Sequence, residues 1–579
     1  MNRCKNLNDA ELPDSVLSLI FSKLTLKDLV KTSALSKRWR HELGFMMKNI
    51  KDLNFDAYNM FDYNQLQESQ EQVQLRTHSQ FATGMEQIML HYQDTMINSV
   101  RVKFPLGDQH SDFIDRLISQ AVANGVKSIA LLLSHETNDI SFILEIEPYR
   151  FSFSLLSNTD SLMYLHLENC FLAAPKGFSG LKNLRTLVLH LIVVEKKLLQ
   201  GLLFNCVRLE DFTLDDCDFN SRLKIISPTL IHLKIVNCRG HFEGMIDIIA
   251  SNLSSLEYSC NGYRVHQINL QTQMLSQFSY RCWKIVGFIP LDRLKKVTTI
   301  VLDGLEECLQ SFVIPYLFKE CLQLEDVTFK NCSITNSIEI TSSKLRHLKI
   351  IHCCFGNFAP NKISIDALNL SSFEFVGHSG SRFSIVAPML SKVFWSAAIR
   401  DNSQNEFGPI PKLHQIENLA ILINYSQAAK LSKVVGQLQN LRQLKLFINK
   451  PYDSNMEYFF ISDILMAAQH LQKFSVTVRR SLIFDRNPYQ RSRYAKKIPN
   501  ELKFVELHGC VCTRNAVEFA RHLLRKVNSL KKITFSSDDK YYLGAGSWTK
   551  GINNGWFDRN FIHENLKDEV KGKCQLIIL

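Results

Sequence analysis

An apolar pattern recurs along most of this 579-residue chain and constrains its fold more than any other feature. Each clear copy has an apolar residue, two variable residues, a second apolar residue, one variable residue, a third apolar residue and, three positions later, a cysteine. The five clearest copies place these residues at Leu162, Leu165, Leu167 and Cys170; Leu209, Phe212, Leu214 and Cys217; Leu230, Leu233, Ile235 and Cys238; Leu324, Val327, Phe329 and Cys332; and Leu345, Leu348, Ile350 and Cys353. The alternation within each copy is typical of a short strand that buries one face.

The spacing is the leucine-rich-repeat signature. Weaker copies bring the total to about 17 units, mostly about 19–31 residues apart; they begin at Val126, Leu184, Leu256, Leu275, Val297, Leu370, Leu390, Ile416, Leu441, Leu471, Leu502 and Leu530. We therefore predict an α/β solenoid over residues 99–536, a curved array with parallel strands on its concave face and helical or irregular returns. The cysteines after the strands are expected to fill the interior as reduced thiols.

A different pattern precedes the array, where residues 12–40 read LPDSVLSLIFSKLTLKDLVKTSALSKRWR. Pro13 suits a first helical turn, and Val16, Leu17, Ile20 and Leu24 recur at helical spacing. Such a short helical segment cannot bury enough apolar surface to be stable by itself, so it is expected to dock on a partner or on the following domain. Helical periodicity alone favours an ordinary helical bundle that has a tryptophan in its core.

The ordered LP, LS and RW pairs favour a more specific interpretation, because in this order and spacing the segment resembles an F-box. The resemblance implies an F-box over residues 9–50 that binds a Skp-type adaptor and, through it, a cullin scaffold. The adaptor-binding residues that the resemblance implies are Leu12, Pro13, Leu17, Ile20, Leu24, Leu29, Leu35, Ser36, Arg38 and Trp39.

Three further segments flank or end the array. Residues 57–98 form a polar, glutamine-rich connector that we predict to be a loop or an exposed helix. Residues 500–536 resemble the FBD region of plant F-box proteins, and their pattern predicts a strand, a helix and a strand. Residues 537–579, rich in glycine and tryptophan, are expected to be an irregular C-terminal tail. The whole chain thus resembles a plant F-box/leucine-rich-repeat protein with an FBD-like C-terminal region.

The candidate target-binding surface follows from repeat geometry, because residues that flank the central apolar position of each strand point away from the core. The candidates are Tyr164, His166, Asp211, Asp215, Lys234, Lys330, His347, Lys349 and Lys445. Stacking of adjacent repeats is expected to bring Lys330, His347 and Lys349 together as a basic patch. The acidic candidates beside the basic ones favour a protein target, whose identity the sequence does not give.

The architecture also resembles plant hormone receptors that combine an F-box with leucine-rich repeats and bind an inositol polyphosphate beneath a small-molecule pocket. Their ligand-contacting motifs have no residue-by-residue match in this chain. No cofactor is therefore expected, and inositol polyphosphate remains the one small anion to test. Fifteen cysteines without a CxxC pair predict no metal site. The basic segment 479–497 is interpreted as a loop between repeats, with nuclear import or an anionic contact as the alternatives.

These features together favour a binding protein over an enzyme. The sequence contains no GxSxG, P-loop or HExxH motif, so no catalytic residue is assigned. Apolar runs of membrane-spanning length and a secretory signal are lacking, so we expect no membrane partner and an intracellular location, in the nucleus, the cytoplasm or both. Nucleic-acid binding is not expected, because aromatic stacking platforms and a groove-reading helix are not visible.

The leading hypothesis is a non-catalytic substrate receptor of a Skp-cullin-F-box ubiquitin ligase, acting in ubiquitination and protein degradation. One alternative is a hormone-type co-receptor that binds a small molecule together with its target. A second alternative is a basic repeat scaffold whose F-box helices pack within the chain.

Overall fold

A computed structural model describes most of the chain downstream of residue 50. The described residues are Val16, Leu19, Ile20, Leu24, Asp28, 50–61, 71–92, 95–135, 146–157, 159–172, 180–219, 222–240, 245–260, 267–282, 290–305, 313–334, 337–355, 362–378, 382–398, 406–424, 427–449, 459–479, 501–509, 514–537, 539–544, 547–551 and 559–579. They form two compact units, the first from residues 1–276 and 287–293 and the second from 277–286 and 294–579.

The first unit is built from short strands with few helices. Its strands are β1 (Asp52–Asp56), β2 (Ser99–Lys103), β3 (Ser128–Leu132), β4 (Tyr149–Phe151), β5 (Tyr164–Glu168), β6 (Cys170–Leu172), β7 (Thr186–His190), β8 (Val193–Val194), β9 (Asp211–Asp215), β10 (Asp218–Phe219), β11 (Leu223–Ile226), β12 (His232–Val236), β13 (Arg239–Gly240), β14 (Met245–Ile249), β15 (Ser255–Cys260) and β16 (Gln267–Gln271). Its helices are α1 (Ala57–Met60), α2 (Glu71–Met89), α3 (Ser111–Ala123) and α4 (Lys196–Asn205).

One parallel sheet runs through this unit in the order β1-β2-β3-β5-β7-β9-β12-β15. Each repeat therefore contributes one strand beside the strand of the preceding repeat, as the sequence predicts. Short strands that follow the main ones form further parallel sheets, β4-β6, β8-β10-β13 and β11-β14-β16. The chain thus returns through strands in several repeats, where the sequence predicts only helical or irregular returns.

The second unit repeats the same design. Its strands are β17 (Gln277–Cys282), β18 (Thr299–Asp303), β19 (Asp326–Lys330), β20 (Ser333–Ile334), β21 (Ser337–Thr341), β22 (His347–Ile351), β23 (Cys354–Phe355), β24 (Lys362–Asp366), β25 (Ser372–His378), β26 (Arg382–Val386), β27 (Lys392–Ala398), β28 (Asn418–Asn424), β29 (Gln443–Asn449), β30 (Lys473–Arg479), β31 (Phe504–Gly509), β32 (Lys532–Ser536), β33 (Asp539–Gly544), β34 (Ser547–Gly551) and β35 (Gln575–Ile578). Its helices are α5 (Val313–Glu320), α6 (Ala428–Val435), α7 (Phe459–Ala467), α8 (Arg514–Lys526) and α9 (Arg559–Val570).

The main sheet of the second unit is also parallel, in the order β17-β18-β19-β22-β25-β27-β28-β29-β30-β31-β32-β35. Return strands form the parallel sheets β20-β23 and β21-β24-β26, whereas β33 and β34 pair antiparallel. The predicted α/β solenoid of stacked repeats with parallel strands is confirmed in each unit.

The turn after the main strand of each clear copy explains the recurrent cysteine. In β5, for example, Asn169 follows the strand with φ 51°, a left-handed conformation that asparagine tolerates better than most residues. This turn directs the buried Cys170 inward, where its thiol donates to the carbonyl oxygen of Glu168 at 3.2 Å. The predicted interior position is confirmed for all five cysteines of the clear copies, which are buried: Cys170, Cys217, Cys238, Cys332 and Cys353.

The boundary predicted at residue 99 is wrong, because the main sheet begins earlier. Strand β1 pairs in parallel with β2, and helix α2 occupies much of the predicted connector. Phe81, Met85 and Ile88 give this helix an apolar stripe that is buried, and the Phe81 ring stacks on Phe104 with a centroid distance of 4.0 Å. The many glutamines make this segment polar on average, although the helix has an apolar stripe. The prediction of a loop or an exposed helix is therefore wrong for residues 71–89, which form a packed helix.

The irregular tail predicted for residues 537–579 is also wrong. Helix α9 buries Ile562 and Leu566, and β35 adds to the main sheet by pairing in parallel with β32. The ion pair between Arg525 and Glu569 joins α8 to α9. The segment therefore ends the second unit with ordered secondary structure and covers the edge of β32.

The segment that resembles the FBD region has the secondary structure expected from its pattern. It consists of β31, α8 and β32, and the apolar side of α8 is buried at Val517, Ala520, Leu523 and Leu524. The correspondence to the FBD region itself stays a prediction. None of the helices in the described ranges has the length and hydrophobicity needed to cross a membrane.

Candidate functional site

The structure describes two of the ten predicted adaptor-binding residues, Ile20 and Leu24, and both side chains are half-buried. Leu19, in the same helical segment, is 63% exposed. The other eight predicted residues, among them Pro13 and Trp39, lie outside the described residues. The adaptor-binding surface therefore remains a prediction, supported by an exposed leucine in a segment that the sequence predicts to dock.

In each unit the predicted target-binding residues lie on one face of the main sheet, which we call the open face. It consists of the first, third and fifth residues of the main-sheet strands from β1 to β32, whereas the second and fourth are buried; in β5, Leu165 and Leu167 are buried and His166 is half-buried. Each predicted residue occupies an open-face position and is half-buried or exposed: Tyr164, His166, Asp211, Asp215, Lys234, Lys330, His347, Lys349 and Lys445.

A row of ionisable side chains crosses the open face of the first unit at the ends of three adjacent strands. Glu168, His190 and Asp215 occupy the fifth positions of β5, β7 and β9, and the register aligns them side by side. The Nδ1 atom of His190 lies 3.2 Å from Oε2 of Glu168, whose side chain is fully buried. The backbone N–H of Ser134 donates to Oε1 of Glu168 at 3.0 Å. We call Glu168, His190 and His166 the histidine–glutamate cluster.

The surroundings of this cluster change the pKa values of its two histidines in opposite directions. The hydrogen bond to Glu168 raises the pKa of His190 above its ordinary value. Burial lowers the pKa of His166 to about 4, although Glu168 opposes this effect. Burial raises the pKa of Asp215, and the nearby His190 opposes this effect. The open face therefore contains, at one place, imidazole groups with different proton affinities and a buried carboxylate.

Sequence reasoning selected His166 and Asp215 separately and missed His190 as a functional candidate. The repeat that contains His190 has an isoleucine, Ile192, where the clear copies have a cysteine, so it is one of the weak copies. The signal that could have found His190 is its fifth strand position, equivalent to those of Glu168 and Asp215.

The cationic candidate Lys234 is partly neutralised by an acidic neighbour. Its Nζ atom lies 3.1 Å from Oε2 of Glu257 on the adjacent strand β15. Both side chains are more than a third exposed, so the ion pair contributes little to stability but reduces the local positive charge.

The basic patch predicted around Lys330, His347 and Lys349 is wrong in its charge. The strands β19 and β22 are adjacent, but Lys349 is aligned with Glu374 on β25, and His347 lies 3.8 Å from Asp326. Lys330 is aligned with the buried Asp303. Acidic residues on neighbouring strands therefore alternate with the basic ones, and this part of the open face has mixed charge.

A second ionic group lies farther along the open face of the second unit. Nζ of Lys473 on β30 lies 2.7 Å from Oε1 of Glu506 on β31, and Nε2 of His508 lies 3.6 Å from Oε2 of the same glutamate. These partners, His508 first, lower the pKa of Glu506 to about 2. Glu506 is therefore ionised throughout the mildly acidic range and links two neighbouring repeats.

This lowered pKa predicts an acid-dependent contribution to stability. Because the pKa of Glu506 is lower in the folded chain than its ordinary value of 4.5, its contribution is present above pH 4.5 and decreases as the pH falls towards 2. We expect Glu506→Gln to cost about 1 kcal/mol at pH 7, since the group is partly screened by solvent. Urea unfolding followed by circular dichroism at pH 7, 5 and 3 measures the difference from the wild type, which should shrink at the lowest pH.

Glu339→Gln is the matched control for this experiment, because Glu339 is an exposed glutamate on β21 of the same unit. It should unfold like the wild type at each pH. A difference between Glu506→Gln and the wild type that is constant from pH 7 to pH 3 would contradict the assignment.

Comparisons with known proteins agree with the two parts of the chain. The F-box domain family matches residues 10–42, and the At1g61320/AtMIF1 leucine-rich-repeat domain family matches residues 75–301 and 308–553. The chain is 25% identical over 287 residues to the F-box/FBD/LRR-repeat protein At1g13570 of Arabidopsis thaliana, a match that covers 49% of this chain and 59% of that protein. It is 27% identical over 287 residues to the Arabidopsis thaliana F-box protein At1g80960, with coverages of 48% and 55%.

The matched segments thus span little more than half the length of these curated relatives. Among solved structures, the crystal structure of the circular leucine-rich-repeat protein CroV588 matches with a TM-score of 0.38 and 14% identity, over 77% of this chain and 67% of that one. The family matches, by contrast, cover most of the sequence and coincide with the repeats seen in both units. The chain therefore belongs to the plant F-box/leucine-rich-repeat proteins and carries the At1g61320/AtMIF1-type repeat domain.

Proposed function

We propose that this protein is the target-recognition subunit of a Skp-cullin-F-box ubiquitin ligase. The observation that carries the proposal is the F-box match over residues 10–42, placed ahead of a repeat domain that matches from residue 75 onwards. In this arrangement the F-box binds a Skp-type adaptor and, through it, a cullin, while the repeats bind the protein to be modified. The chain contributes proximity between target and ligase and requires no catalytic group of its own.

The open face supports a protein as the target. Parallel strands present side chains of both signs at regular intervals, with Lys234 beside Glu257 and His347 beside Asp326. Interfaces between proteins gain specificity when opposite charges are aligned with those of the partner, and a surface of mixed sign offers many such alignments. The co-receptor alternative rests on likeness of architecture, and among the described residues we find no observation that favours it.

Proximity labelling in plant cells tests this function. The full chain fused to a biotin ligase should label a Skp-type adaptor, a cullin and a set of further proteins. Deletion of residues 10–42 should remove the adaptor and the cullin from the labelled set and leave the repeat-bound proteins. With the proteasome inhibited, some of those remaining proteins should carry more ubiquitin when the full chain is expressed than when the deleted chain is.

The proposal requires both results, the labelling of the adaptor and the cullin and the higher ubiquitin level of the bound proteins. If the full chain labelled no adaptor or cullin above the level of the deleted chain, the ligase assignment would be wrong. If the labelled proteins showed the same ubiquitin level with either chain, the F-box would have to serve an assembly other than a ubiquitin ligase.

A further inference from the structure

We propose that His166, Glu168 and His190 bind one divalent transition-metal ion on the open face of the first unit, with Zn²⁺ the ion that best fits the donors. The spacing of the cysteines along the chain predicts no metal site. The ligands of the proposed site come instead from two neighbouring strands, β5 and β7. It does not depend on the proposed ligase function.

The backbone register brings the three side chains together. Glu168 and His190 are aligned across β5 and β7, and His166 lies two residues before Glu168, on the same face of β5. One potential ligand atom from each of the three residues lies within 4.8 Å of the other two. The observed separation of 3.2 Å between Nδ1 of His190 and Oε2 of Glu168 is close to the distance of about 3.3 Å between neighbouring ligands of a tetrahedral ion with bonds of about 2.0–2.1 Å.

The surroundings of His166 provide a second, independent observation. Its Nε2 atom is inaccessible to solvent and has no hydrogen-bond partner among the described residues. Leaving a buried polar atom without a partner costs about 1–3 kcal/mol, and native proteins avoid it except at sites with a specific use. A metal ion bound through this nitrogen would accept its lone pair and remove that cost.

The charges around the cluster favour a cation. Glu168 is fully buried, and Asp215 and Asp216 lie next to His190 on the other side, where a potential ligand atom from each of the three also lies within 4.8 Å of the others. Arg101 and Lys103 on β2 are opposing charges, because the register separates them from His166 and Glu168 only by Ala130 and Leu132. Three carboxylates against two cationic side chains leave the site negative when the imidazoles are neutral, which is the form that binds a metal.

The donor set selects the class of metal. Two imidazole nitrogens and a carboxylate oxygen suit Zn²⁺, Co²⁺, Fe²⁺ or Ni²⁺, whereas Ca²⁺ and Mg²⁺ prefer oxygen ligands alone. The backbone N–H of Ser134 holds the second oxygen of Glu168, so the carboxylate is already oriented by an outer hydrogen bond. Three protein ligands leave one position of a tetrahedral ion for Asp215, for water or for a group of a bound target.

Titration of the purified, metal-stripped full chain with Co²⁺ tests the proposal, because Co²⁺ reports its ligands by absorption. We expect saturation at one equivalent, with visible bands of a nitrogen and oxygen site and without the near-ultraviolet band of cobalt–thiolate bonds. Competition with Zn²⁺ should abolish the signal, and Zn²⁺ should raise the melting temperature. The variants His166→Ala and His190→Ala should weaken binding about 100-fold or more, since loss of an outer partner alone weakens metal binding about 10–100-fold.

Two further sets of variants make the result independent of folding defects. His232→Ala removes an exposed histidine from β12 of the same face and should bind Co²⁺ like the wild type. Glu168→Gln and His166→Gln preserve side-chain size, so a chain that keeps its circular dichroism spectrum but loses the cobalt signal supports the site.

The proposal is overturned if the wild type shows no saturable cobalt signal or only a thiolate spectrum. It is also overturned if a folded His166 or Glu168 variant binds as tightly as the wild type.

Discussion

Replacing Leu17 and Ile20 together with aspartate is expected to abolish co-purification of the chain with a Skp-type adaptor. Burial of each aliphatic side chain at an interface contributes about 2 kcal/mol, and a buried, unpaired carboxylate is strongly unfavourable in its place. The combined loss is at least about 4 kcal/mol, or about a thousandfold in the dissociation constant. Ile20 is half-buried in the chain by itself, which leaves part of its surface for a partner. Co-expression followed by affinity purification and quantification of the adaptor measures the effect.

The control for this double variant is Ile226→Asp, because Ile226 is 47% exposed on β11, within the repeats. It places a charge on an exposed aliphatic residue outside the predicted F-box and should leave adaptor binding unchanged. The repeats of the double variant should remain folded, since contacts in a solenoid are made mainly between neighbouring repeats. Retention of the adaptor by the double variant, or equal loss in Ile226→Asp, would show that residues 9–50 do not dock as predicted.

The main strands could be predicted from the sequence because burial within each repeat is a local property. Leu165 and Leu167 are buried and alternate with the half-buried Tyr164 and His166, and the cysteine three positions after Leu167 indicates where the chain turns inward. The asparagine before that cysteine is part of the same signal, because the turn needs a left-handed residue there. Each such copy therefore determines a strand, its buried face and its turn without reference to distant residues.

The return strands and the two ends of the array could not be predicted from the sequence. They form by pairing with strands far along the chain, which the repeat pattern does not identify. Ile246 and Ile248 alternate like a strand, but they become one by pairing with β11 and β16, which lie about 20 residues away on either side. The same holds for Leu576 in β35, whose partner Ile533 is more than 40 residues earlier in the chain. Glycines and glutamines in the flanking segments obscured these elements further.

The histidine–glutamate cluster shows the same limit at a candidate site. His166 and Glu168 are adjacent open-face residues in one copy of the repeat, and the sequence places them correctly on the face. Their partner His190 has the equivalent fifth position in the next, weaker copy, and the register of β5 and β7 places it beside Glu168. A one-residue change in that register would turn His190 to the buried side, so pairwise alignment of strands is the information that the sequence lacked.

A second large effect is expected from Gly509→Ala at the end of β31. Gly509 has φ +87°, and a Cβ atom built there would lie 2.2 Å from the carbonyl oxygen of Val478 on β30. The conformation alone costs a non-glycine residue about 1–2 kcal/mol, and a backbone atom cannot move aside like a flexible side chain. With the added cost of overpacking we expect a loss of about 2–5 kcal/mol in the free energy of unfolding of this region. Hydrogen exchange of the β30 and β31 amides, measured by mass spectrometry, should show much faster exchange in the variant.

Gly572→Ala separates the conformational cost from the steric clash. Gly572 lies in the same unit with φ +73° and has no atom within 4 Å of the Cβ position among the described residues. It should show only the conformational cost, with little change in the exchange of β30 and β31. Since β31 pairs with both β30 and β32, a displaced Gly509 strand disturbs the sheet on both sides, and faster exchange should extend to β32. Equal, small effects of the two substitutions would mean that the chain at residue 509 can move away from β30, and the close approach of these strands would then not be required for the fold.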